Sequence, residues 1–435
     1  MPSAEGLVRL GAREAARRIR EGALSPEALV EACLERIRAL DGDLRAWAHV
    51  DEAGARATAR EREAQVRAGG ALGPLHGVPV GVKDIFDVAG MPTTGGARPW
   101  AHTRPTRDAT AVARVRAAGA VILGKTVTTE FAYRDPAPTR NPWNLEHTPG
   151  GSSAGSGAGV GARMVPLALG SQTVGSVLRP AAYCGVVGVK PTHGAIPVDG
   201  VIPLAWSLDH VGAFARSVAD AGLVLGVLMG RELRPAPRAP RLVVAGELLA
   251  RCEPATAAQI QAVVDRLARA GASIAEVKLP ASFADLADAG RIVLEAEAAA
   301  YHEGSWRAHG GEYGREMGAL VQAGLGGPAP AYVRASRARL RFREDVLPLL
   351  AAVDALLAPT APAPAPAGLG WTGDASLCAP WTWAGVPAIT LPSGLAGNGL
   401  PHAVQLVAAA GEEPRLLDAA QFCEDVLAFT AAPSL

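Results

Sequence analysis

The sequence predicts an α/β protein in which helices surround a sheet, and three observations support this prediction. Short runs rich in β-branched residues alternate along the chain with segments whose apolar residues recur at helical spacing. The chain has 435 residues, and 49% of them are hydrophobic. One large α/β domain with a sizeable core is therefore possible. Because strands joined through helices usually run parallel, the alternation predicts a largely parallel sheet.

The first seventy residues are predicted to be helical. In "LSPEALVEACLERIRAL", Ser25 stands at the N-cap and Pro26 at the first helical position, ahead of apolar residues at helical spacing. A second helical segment, "DEAGARATAREREAQVRAGG", ends at a pair of glycines. The sequence thus places helices before the first predicted strand.

The alternation of strands and helices occupies the next part of the chain. Its predicted strands are "GVPVGV", "AVILG", "VPLALG" and "CGVVGV". Its predicted helices are "ATAVARVRAAGA" and "SVADAGLVLGVLMG". The Pro/Arg-rich segment "GRELRPAPRAPR", Gly230 to Arg241, follows as a predicted connection and a candidate subdomain boundary.

The second half is predicted to return to the same pattern after the strand "RLVVAG". Long helices are expected at about Phe283 to Tyr301 and Tyr332 to Leu356. A strand running into a Pro/Ala loop, "ALLAPTAPAPAPAGLG", comes next. Two further strands, "PAITLPSG" and "HAVQLVAAA", precede a closing helix from about Pro414.

Composition and charge narrow the classes of function. The 42 basic residues balance the 42 acidic ones, so no net charge favours nucleic acid or an anionic membrane. The five cysteines are scattered without the spacing of a metal site, which indicates a reducing compartment. The N-terminus lacks the apolar core of a signal peptide, and no run approaches a transmembrane helix. We expect a cytoplasmic protein without nucleic-acid or membrane partners.

The glycine- and serine-rich stretch "GGSSAGSGAGVG", Gly150 to Gly161, allows three interpretations. It could be a flexible linker, although an apolar strand-like segment follows it directly. It formally contains the dinucleotide motif GxGxxA, but without the preceding strand and the later acidic residue that this motif requires. It also fits the nucleophile elbow GxSxG around Ser153, with Asp354 and His402 as candidate triad partners.

A second serine and a lysine offer another kind of chemistry. Ser176 follows a turn of small residues whose backbone N–H groups could stabilise an oxyanion, so it is a candidate nucleophile. Lys83 directly follows an apolar strand. A surface position is the commoner one for such a lysine, but burial would lower its pKa and make it a candidate base.

The segments "GVKD", "GGSSAGSGAGVG" and "GSQTVGSVLRPAAYCGVVGVKPTHG" together resemble the amidase signature family, which hydrolyses C–N bonds with a Ser–cis-Ser–Lys triad. The resemblance implies one domain over residues 1–435, with N-terminal helices to about 70, a signature core over about 71–229, and a remainder that includes substrate-pocket segments. It implies a central mixed sheet covered by helices on both faces. No cofactor or metal is expected.

The resemblance also assigns roles to residues. Lys83 becomes the base, Ser152 the bridging serine after a cis Gly151–Ser152 peptide bond, and Ser176 the nucleophile. The backbone N–H groups of Thr173, Val174, Gly175 and Ser176 become the oxyanion hole. Tentative substrate-binding residues are Gly151, Arg179, Trp381 and Trp383.

Two departures from the commoner family pattern concern the pocket. Gln172 and Val174 stand where many members have Asp and Gly, and Arg179 lies three rather than two residues after the nucleophile. Because backbone groups form the oxyanion hole, we expect neither side chain to matter for catalysis. Arg179 could bind a substrate carboxylate or tie helix to loop, and the second role is favoured. Asp209 and Lys190 are interpreted as scaffold.

Two enzymatic hypotheses follow. The first is a stand-alone amidohydrolase for small amides, anilides or carbamates, including urethanase and esterase activity, with a homodimer suggested by the family. The second is the catalytic A-type subunit of a glutamine-dependent tRNA amidotransferase. The departures at Gln172 and Arg179 lead us to favour the first. A binding scaffold without catalysis is disfavoured because Lys83, Ser152 and Ser176 are all present.

Overall fold

Eleven strands form one continuous sheet in the computed structural model, which describes residues 4–435. The strands are β1 (Trp47–Val50), β2 (Pro79–Lys83), β3 (Val121–Thr126), β4 (Leu167–Gln172), β5 (Val187–Lys190), β6 (His210–Ala215), β7 (Arg241–Ala245), β8 (Ser273–Val277), β9 (Ala355–Pro359), β10 (Ala388–Leu395) and β11 (Pro401–Val407). Their order across the sheet is β1-β3-β2-β4-β6-β5-β10-β11-β9-β7-β8.

The sheet is mixed, as the family resemblance implies, and not largely parallel. Parallel pairing is confined to β3-β2-β4 and to β9-β7-β8. The six other neighbouring pairs are antiparallel. The prediction of a largely parallel sheet was wrong for two reasons. It missed β1 and β6, which make three of the antiparallel pairs, and the predicted strands β5, β10, β11 and β9 pair antiparallel with one another.

Helices pack on both faces of the sheet. They are α1 (Ala4–Val8), α2 (Ala12–Arg20), α3 (Pro26–Leu44), α4 (Glu52–Arg67), α5 (Thr110–Ala117), α6 (Ala154–Gly161), α7 (Leu178–Cys184), α8 (Val218–Met229), α9 (Gly246–Leu249), α10 (Pro254–Arg269), α11 (Leu286–His309), α12 (Arg315–Gly326), α13 (Ala329–Ala351), α14 (Ala379–Trp383) and α15 (Glu413–Leu427). Side chains of β3 point alternately to the two faces of the sheet. Val121 and Leu123 belong to one apolar cluster, and Ile122 belongs to a second cluster.

Local signals in the sequence correctly predict most of these elements. Helix α3 begins at Pro26, and the Ser25 hydroxyl accepts a hydrogen bond from the Ala28 N–H at 3.3 Å. Helix α4 ends shortly before the predicted pair of glycines. Helix α12 was missed, because "REMGALVQAGLG" carries glycines that weaken a helical pattern.

The sheet brings the predicted catalytic segments together at one edge. β2 and β4 are parallel neighbours, with Val82 paired to Leu169, so their carboxyl ends lie side by side. Lys83 is the last residue of β2, and residues 173–176 directly follow β4. Strand order therefore places the lysine beside the turn that carries Ser176.

Two further properties concern the chain's surroundings. Within residues 4–435, no helix combines the length and the apolar character needed to cross a membrane. All five cysteines are free thiols.

Candidate active site

Lys83 lies in the interior beside two serines. Its Nζ is 2.6 Å from Ser152 Oγ and 2.8 Å from Ser171 Oγ. The side chain is fully buried, and burial lowers its pKa well below the ordinary value of 10.5, opposed only by the charge of Asp209. Burial thus favours the uncharged form of an amine that lies against a hydroxyl, as a base requires.

Ser152 follows a cis peptide bond to Gly151, as the family resemblance implies. The Ser152 carbonyl accepts a hydrogen bond from the Thr129 N–H at 3.2 Å. A Cβ atom at Gly151 would lie 2.8 Å from the Thr372 side chain, so glycine is needed there. The backbone around the bridging serine is therefore held on both sides.

The rest of the glycine- and serine-rich stretch is a buried helix, α6. At Gly155 a Cβ atom would come within 2.1 Å of the Ala46 carbonyl oxygen, so glycine permits close packing. The linker interpretation is wrong, because the stretch is buried throughout. The dinucleotide interpretation is also wrong, because β3 ends at Thr126 and no strand of the described chain directly precedes the motif.

The nucleophile-elbow interpretation does not fit the structure either. Ser153 is fully buried, and its hydroxyl lies against the backbone of Ser171. Asp354 is engaged elsewhere, since its carboxylate accepts the Arg241 N–H at 2.8 Å and pairs with Arg238 at 3.2 Å. A fully buried serine that is bonded to the backbone is not placed to act as the nucleophile.

Ser176 stands at the end of a turn whose backbone donors are free. Within residues 4–435, the N–H groups of Thr173, Val174, Gly175 and Ser176 donate no hydrogen bond, and the Ser176 hydroxyl has no partner. Ser176 is 9% exposed and lines a cavity of about 840 Å³. Four consecutive unused donors beside a reachable serine are what an oxyanion hole requires.

Two buried acceptors lie in this region, of which Asp209 was interpreted from the sequence as scaffold and Ser171 was not singled out. The Ser171 hydroxyl contacts Lys83. Ser171 lies in the motif "GSQTVGS", and its position near the end of β4 is the only sequence signal that could have indicated this contact. Asp209 accepts a hydrogen bond from the Thr173 hydroxyl at 2.6 Å and two more from the N–H groups of Leu204 and Ala205. Burial raises its pKa to about 6.

Lys190 is buried away from this group, where its Nζ donates to the Val386 carbonyl at 2.6 Å and to the Pro191 carbonyl at 3.1 Å. Burial lowers the pKa of Lys190 to about 7. These carbonyl contacts agree with the scaffold role expected of it.

Arg179 is held by the protein itself. It donates to the carbonyl oxygens of Gly151 at 2.6 Å and Gly373 at 2.5 Å, and to the Thr372 hydroxyl at 3.0 Å. These contacts fasten helix α7 to the cis peptide segment and to the loop before α14. They agree with the tying role, although the side chain also borders the cavity.

The tryptophans of the "GWTGDASLCAPWTW" segment occupy different environments. Trp371 and Trp383 line the cavity, and Trp371 is 56% exposed. Trp381 is fully buried and packs near Phe342, with ring centroids 6.5 Å apart. The aromatic part of the cavity wall is thus formed by Tyr133, Phe283, Trp371 and Trp383.

The cavity wall also carries charges that the sequence did not point to. The guanidinium of Arg134 lies 5.5 Å from the Tyr133 ring centroid, and that of Arg251 lies 4.8 Å from the Phe283 centroid. Among residues 4–435, no carboxylate lies within ion-pair distance of either arginine. Asp374, which also lines the cavity, likewise has no basic partner in that range. Charges of both signs therefore face the cavity. No group of three metal-binding side chains is found in the same part of the chain.

Comparison with known proteins agrees with this geometry. The amidase family model matches residues 28–417. The A subunit of a glutamyl-tRNA(Gln) amidotransferase from Anaeromyxobacter dehalogenans is 37% identical over 99% of both chains. Its counterpart from Roseiflexus castenholzii is 36% identical over 94% of both. A solved structure described as an amidase superposes with a TM-score of 0.90 at 32% identity, covering 96% of this chain and 99% of the other.

These relatives overturn two expectations drawn from the sequence. The stand-alone amidohydrolase for small amides, anilides or carbamates is contradicted, since the relatives bear the name of the second hypothesis. The expected absence of a nucleic-acid partner is contradicted as well, because the relatives' name refers to tRNA. The expected urethanase activity, esterase activity and homodimer find no support in these comparisons. A balanced net charge describes this chain alone and does not exclude a complex that handles tRNA. Family model, fold and site agree that the chain belongs to the amidase signature family of hydrolases.

Proposed function

We propose that the chain is the A-type subunit of a glutamine-dependent amidotransferase that acts on glutamyl-tRNA(Gln). The observation that carries the proposal is the 37% identity over 99% of both chains to an A-type component of that enzyme. In this proposal the chain hydrolyses the side-chain amide of glutamine, and the ammonia serves the amidation of the glutamyl group within a complex. Its partners are the other subunits and the charged tRNA.

Lys83, Ser152 and Ser176 are proposed to perform the hydrolysis. The uncharged Lys83 amine takes the Ser152 proton while Ser152 takes the Ser176 proton, so the Ser176 oxygen attacks the amide carbon. As the C–N bond breaks, Ser152 gives the proton it took from Ser176 to the leaving nitrogen and recovers its own proton from Lys83, so the nitrogen leaves as ammonia. Water then cleaves the acyl-serine to give glutamate. The 2.6 Å contact between Lys83 Nζ and Ser152 Oγ supports the first proton transfer.

The free N–H groups of residues 173–176 are proposed to stabilise the oxyanion. The carbonyl oxygen of the amide becomes negatively charged when Ser176 attacks, and it needs donors already in place. The unused donors of this turn support this role. One such donor commonly contributes about 10²–10³ to kcat.

Free glutamine carries an α-carboxylate and an α-ammonium group, and the cavity offers complementary charges. Arg134 and Arg251 are proposed to attract the carboxylate, and Asp374 the ammonium group. None of these three side chains forms an ion pair within residues 4–435, which supports the assignment.

Ammonia release from glutamine tests the proposal. The purified chain, alone and combined with the remaining subunits of the Anaeromyxobacter dehalogenans enzyme and glutamyl-tRNA(Gln), should release ammonia and glutamate in equal amounts. Ser176→Ala should lower the rate by about 10⁴-fold or more, because the covalent step is lost. Ser153→Ala is the matched control and should stay active. No ammonia from glutamine under either condition, with Ser176 still labelled by a fluorophosphonate, would rule out the proposed substrate.

The charged wall can be tested in the same assay. Arg134→Gln and Arg251→Gln should each raise KM for glutamine by about tenfold and leave kcat nearly unchanged, since they contact a part of the substrate that does not react. Arg20→Gln, an exposed arginine of α2 outside this cavity, serves as the control. Unchanged KM in both cavity variants would contradict the charge assignment.

A further inference from the structure

We propose that Gln172 and Thr382 act together as positioning residues that hold the oxyanion loop, residues 173–176, in its working geometry. The proposal rests on the role given above to Ser176. It concerns two side chains that neither touch the reacting atoms nor belong to the Ser–Ser–Lys group. It also replaces the sequence-based expectation that the side chain at position 172 is unimportant for catalysis.

The carbonyl end of the Gln172 side chain fixes the segment after the loop. Its Oε1 accepts hydrogen bonds from the N–H groups of Val177 at 2.8 Å and Leu178 at 2.9 Å. These are the first donors of helix α7, directly after Ser176. The nucleophile is thereby anchored on its C-terminal side by a buried amide.

The amide nitrogen of the same side chain fixes the loop from the other side. Gln172 Nε2 donates to the Thr382 hydroxyl at 2.9 Å, and that hydroxyl lies 2.8 Å from the Val174 carbonyl oxygen. A hydroxyl has one proton. The Val174 contact is shorter than the alternative contact to the Cys378 carbonyl at 3.2 Å, so the proton is directed to Val174.

Holding the Val174 carbonyl also orients a proposed oxyanion donor. The peptide unit is planar and trans, so the Val174 C=O and the Gly175 N–H point in opposite directions. A hydrogen bond from Thr382 to that carbonyl therefore turns the Gly175 N–H away from α14. Gly175 packs closely at this place, since a Cβ atom on it would lie 2.8 Å from the Ala375 Cβ.

Only an amide side chain can make both sets of contacts. Aspartate, the residue of the commoner family pattern, can accept from backbone N–H groups but has no N–H to donate to Thr382. Gln172 adds this donor, and it links the loop to α14, whose Trp383 lines the cavity. We call the four contacts of Gln172 and Thr382 the Gln172–Thr382 bridge.

Two variants test the bridge. Thr382→Val keeps the size of the side chain but removes the hydroxyl. Gln172→Glu keeps the side-chain oxygen that accepts from the Val177 and Leu178 N–H groups but removes the donor to Thr382, so the Thr382 proton would turn from Val174 to the new carboxylate. Both should lower kcat for glutamine by about 10–100-fold with little change in KM, because a misplaced donor weakens only transition-state binding.

Two further variants separate positioning from folding. Thr382→Ser restores the hydroxyl and should recover most of the wild-type kcat. Thr390→Val is the matched control, since Thr390 is equally buried and its hydroxyl bonds to Thr360 and the Val404 carbonyl, away from the oxyanion loop. It should cost stability without lowering kcat. Equal kcat for Thr382→Val and Thr390→Val, or no recovery with serine, would overturn the proposal.

A fluorophosphonate gives a readout that does not need glutamine. Ser176 Oγ forms a bond to phosphorus, the P–F bond breaks, fluoride leaves with its electron pair, and the serine proton passes through Ser152 to Lys83. The phosphoryl oxygen then occupies the oxyanion position. Labelling should slow in Thr382→Val and Gln172→Glu but not in Thr390→Val. If the wild type is labelled but does not hydrolyse glutamine, the proposed substrate is wrong. The labelling rates of the variants still test the Gln172–Thr382 bridge in that case.

Discussion

Lys83 and Lys125 lie on the neighbouring parallel strands β2 and β3, and both side chains are fully buried. Their surroundings differ. The Lys83 amine contacts the hydroxyls of Ser152 and Ser171. The Lys125 amine lies 2.8 Å from the Asp84 carboxylate and also donates to the Pro92 carbonyl at 2.8 Å and the Thr93 hydroxyl at 2.9 Å.

The difference shows what makes a buried lysine reactive or structural. Burial lowers the pKa of both amines, but at Lys125 the adjacent Asp84 carboxylate opposes this effect and favours the charged form. At Lys83 only the more distant Asp209 opposes it. Asp84 directly follows Lys83 in the chain, yet its carboxylate is used by the other lysine. The placement of one carboxylate thus decides which amine can accept a proton.

The largest expected difference comes from removing each amine in turn. Lys83→Met should lower kcat/KM for glutamine by about 10²–10⁴-fold, the usual contribution of proton transfer, and should not lower stability much. Lys125→Met should instead lower the free energy of unfolding by about 3–5 kcal/mol, because it leaves a buried carboxylate without its cation. Glutamine hydrolysis and urea unfolding measure the two effects.

A double variant serves as the control for this pair. Adding Asp84→Asn to Lys125→Met removes the stranded charge and should recover much of the lost stability. Large stability loss in Lys83→Met, together with normal activity in that variant, would reverse the roles assigned to the two lysines.

Part of this contrast was predictable from the sequence. Lysine is rare in this arginine-rich chain, and Lys83, Lys125 and Lys190 each stand at or near the end of an apolar strand. Motif resemblance predicted the lysine and the two serines, which the sheet brings to one edge. The pairing of Lys125 with Asp84 was not predictable, because it depends on register between strands.

The direction of the sheet and the cavity wall were harder to predict. The strand "HVGAFA" is rich in alanine and glycine and carries a weak strand signal, so β6 and its two antiparallel pairs were missed. Arg134, Arg251 and Asp374 come from three distant parts of the chain, and only the fold places them around one cavity. The balanced net charge led to the wrong expectation that the protein has no nucleic-acid partner. The net charge of one chain describes neither the distribution of charge on its surface nor the complex in which it works.

The lowered pKa of Lys83 should also make activity and stability depend on pH. A base must be uncharged, so kcat/KM should fall by about tenfold per pH unit below the lowered pKa of Lys83. The unfolded chain binds this proton up to about pH 10.5. Between the two pKa values the unfolded state therefore holds more protons, and the free energy of unfolding should rise with pH.

Unfolding titrations over this range measure that effect. Lys83→Met should lose the contribution of about 1.4 kcal/mol per pH unit that the wild type shows. Identical slopes in the wild type and the variant would mean that Lys83 is charged in the folded protein.

A smaller effect is expected from the second partner of Lys83. Ser171→Ala leaves Ser152 in place but removes a hydroxyl that helps to orient the amine. We expect kcat/KM to fall by about tenfold, within the range of one orienting hydrogen bond, and the acid limb to move to lower pH, because an acceptor that favours the charged amine is lost. Ser156→Ala is the control, since its buried hydroxyl bonds to Thr126 and the Leu169 carbonyl. A similar loss of activity in both variants would argue against a specific role for Ser171.

The smallest effect should come from Thr93, which contacts the other lysine. Its hydroxyl accepts a hydrogen bond from Lys125 at 2.9 Å and donates to the Phe86 carbonyl at 3.2 Å. Thr93→Val leaves the ion pair with Asp84 intact, so the free energy of unfolding should fall by only about 1 kcal/mol, with kcat unchanged. Thr93→Ser should restore the stability, as measured by urea unfolding. A loss as large as that of Lys125→Met would show that the hydroxyl, rather than the Asp84 carboxylate, keeps Lys125 in place, and the contrast between the two lysines would then need another cause.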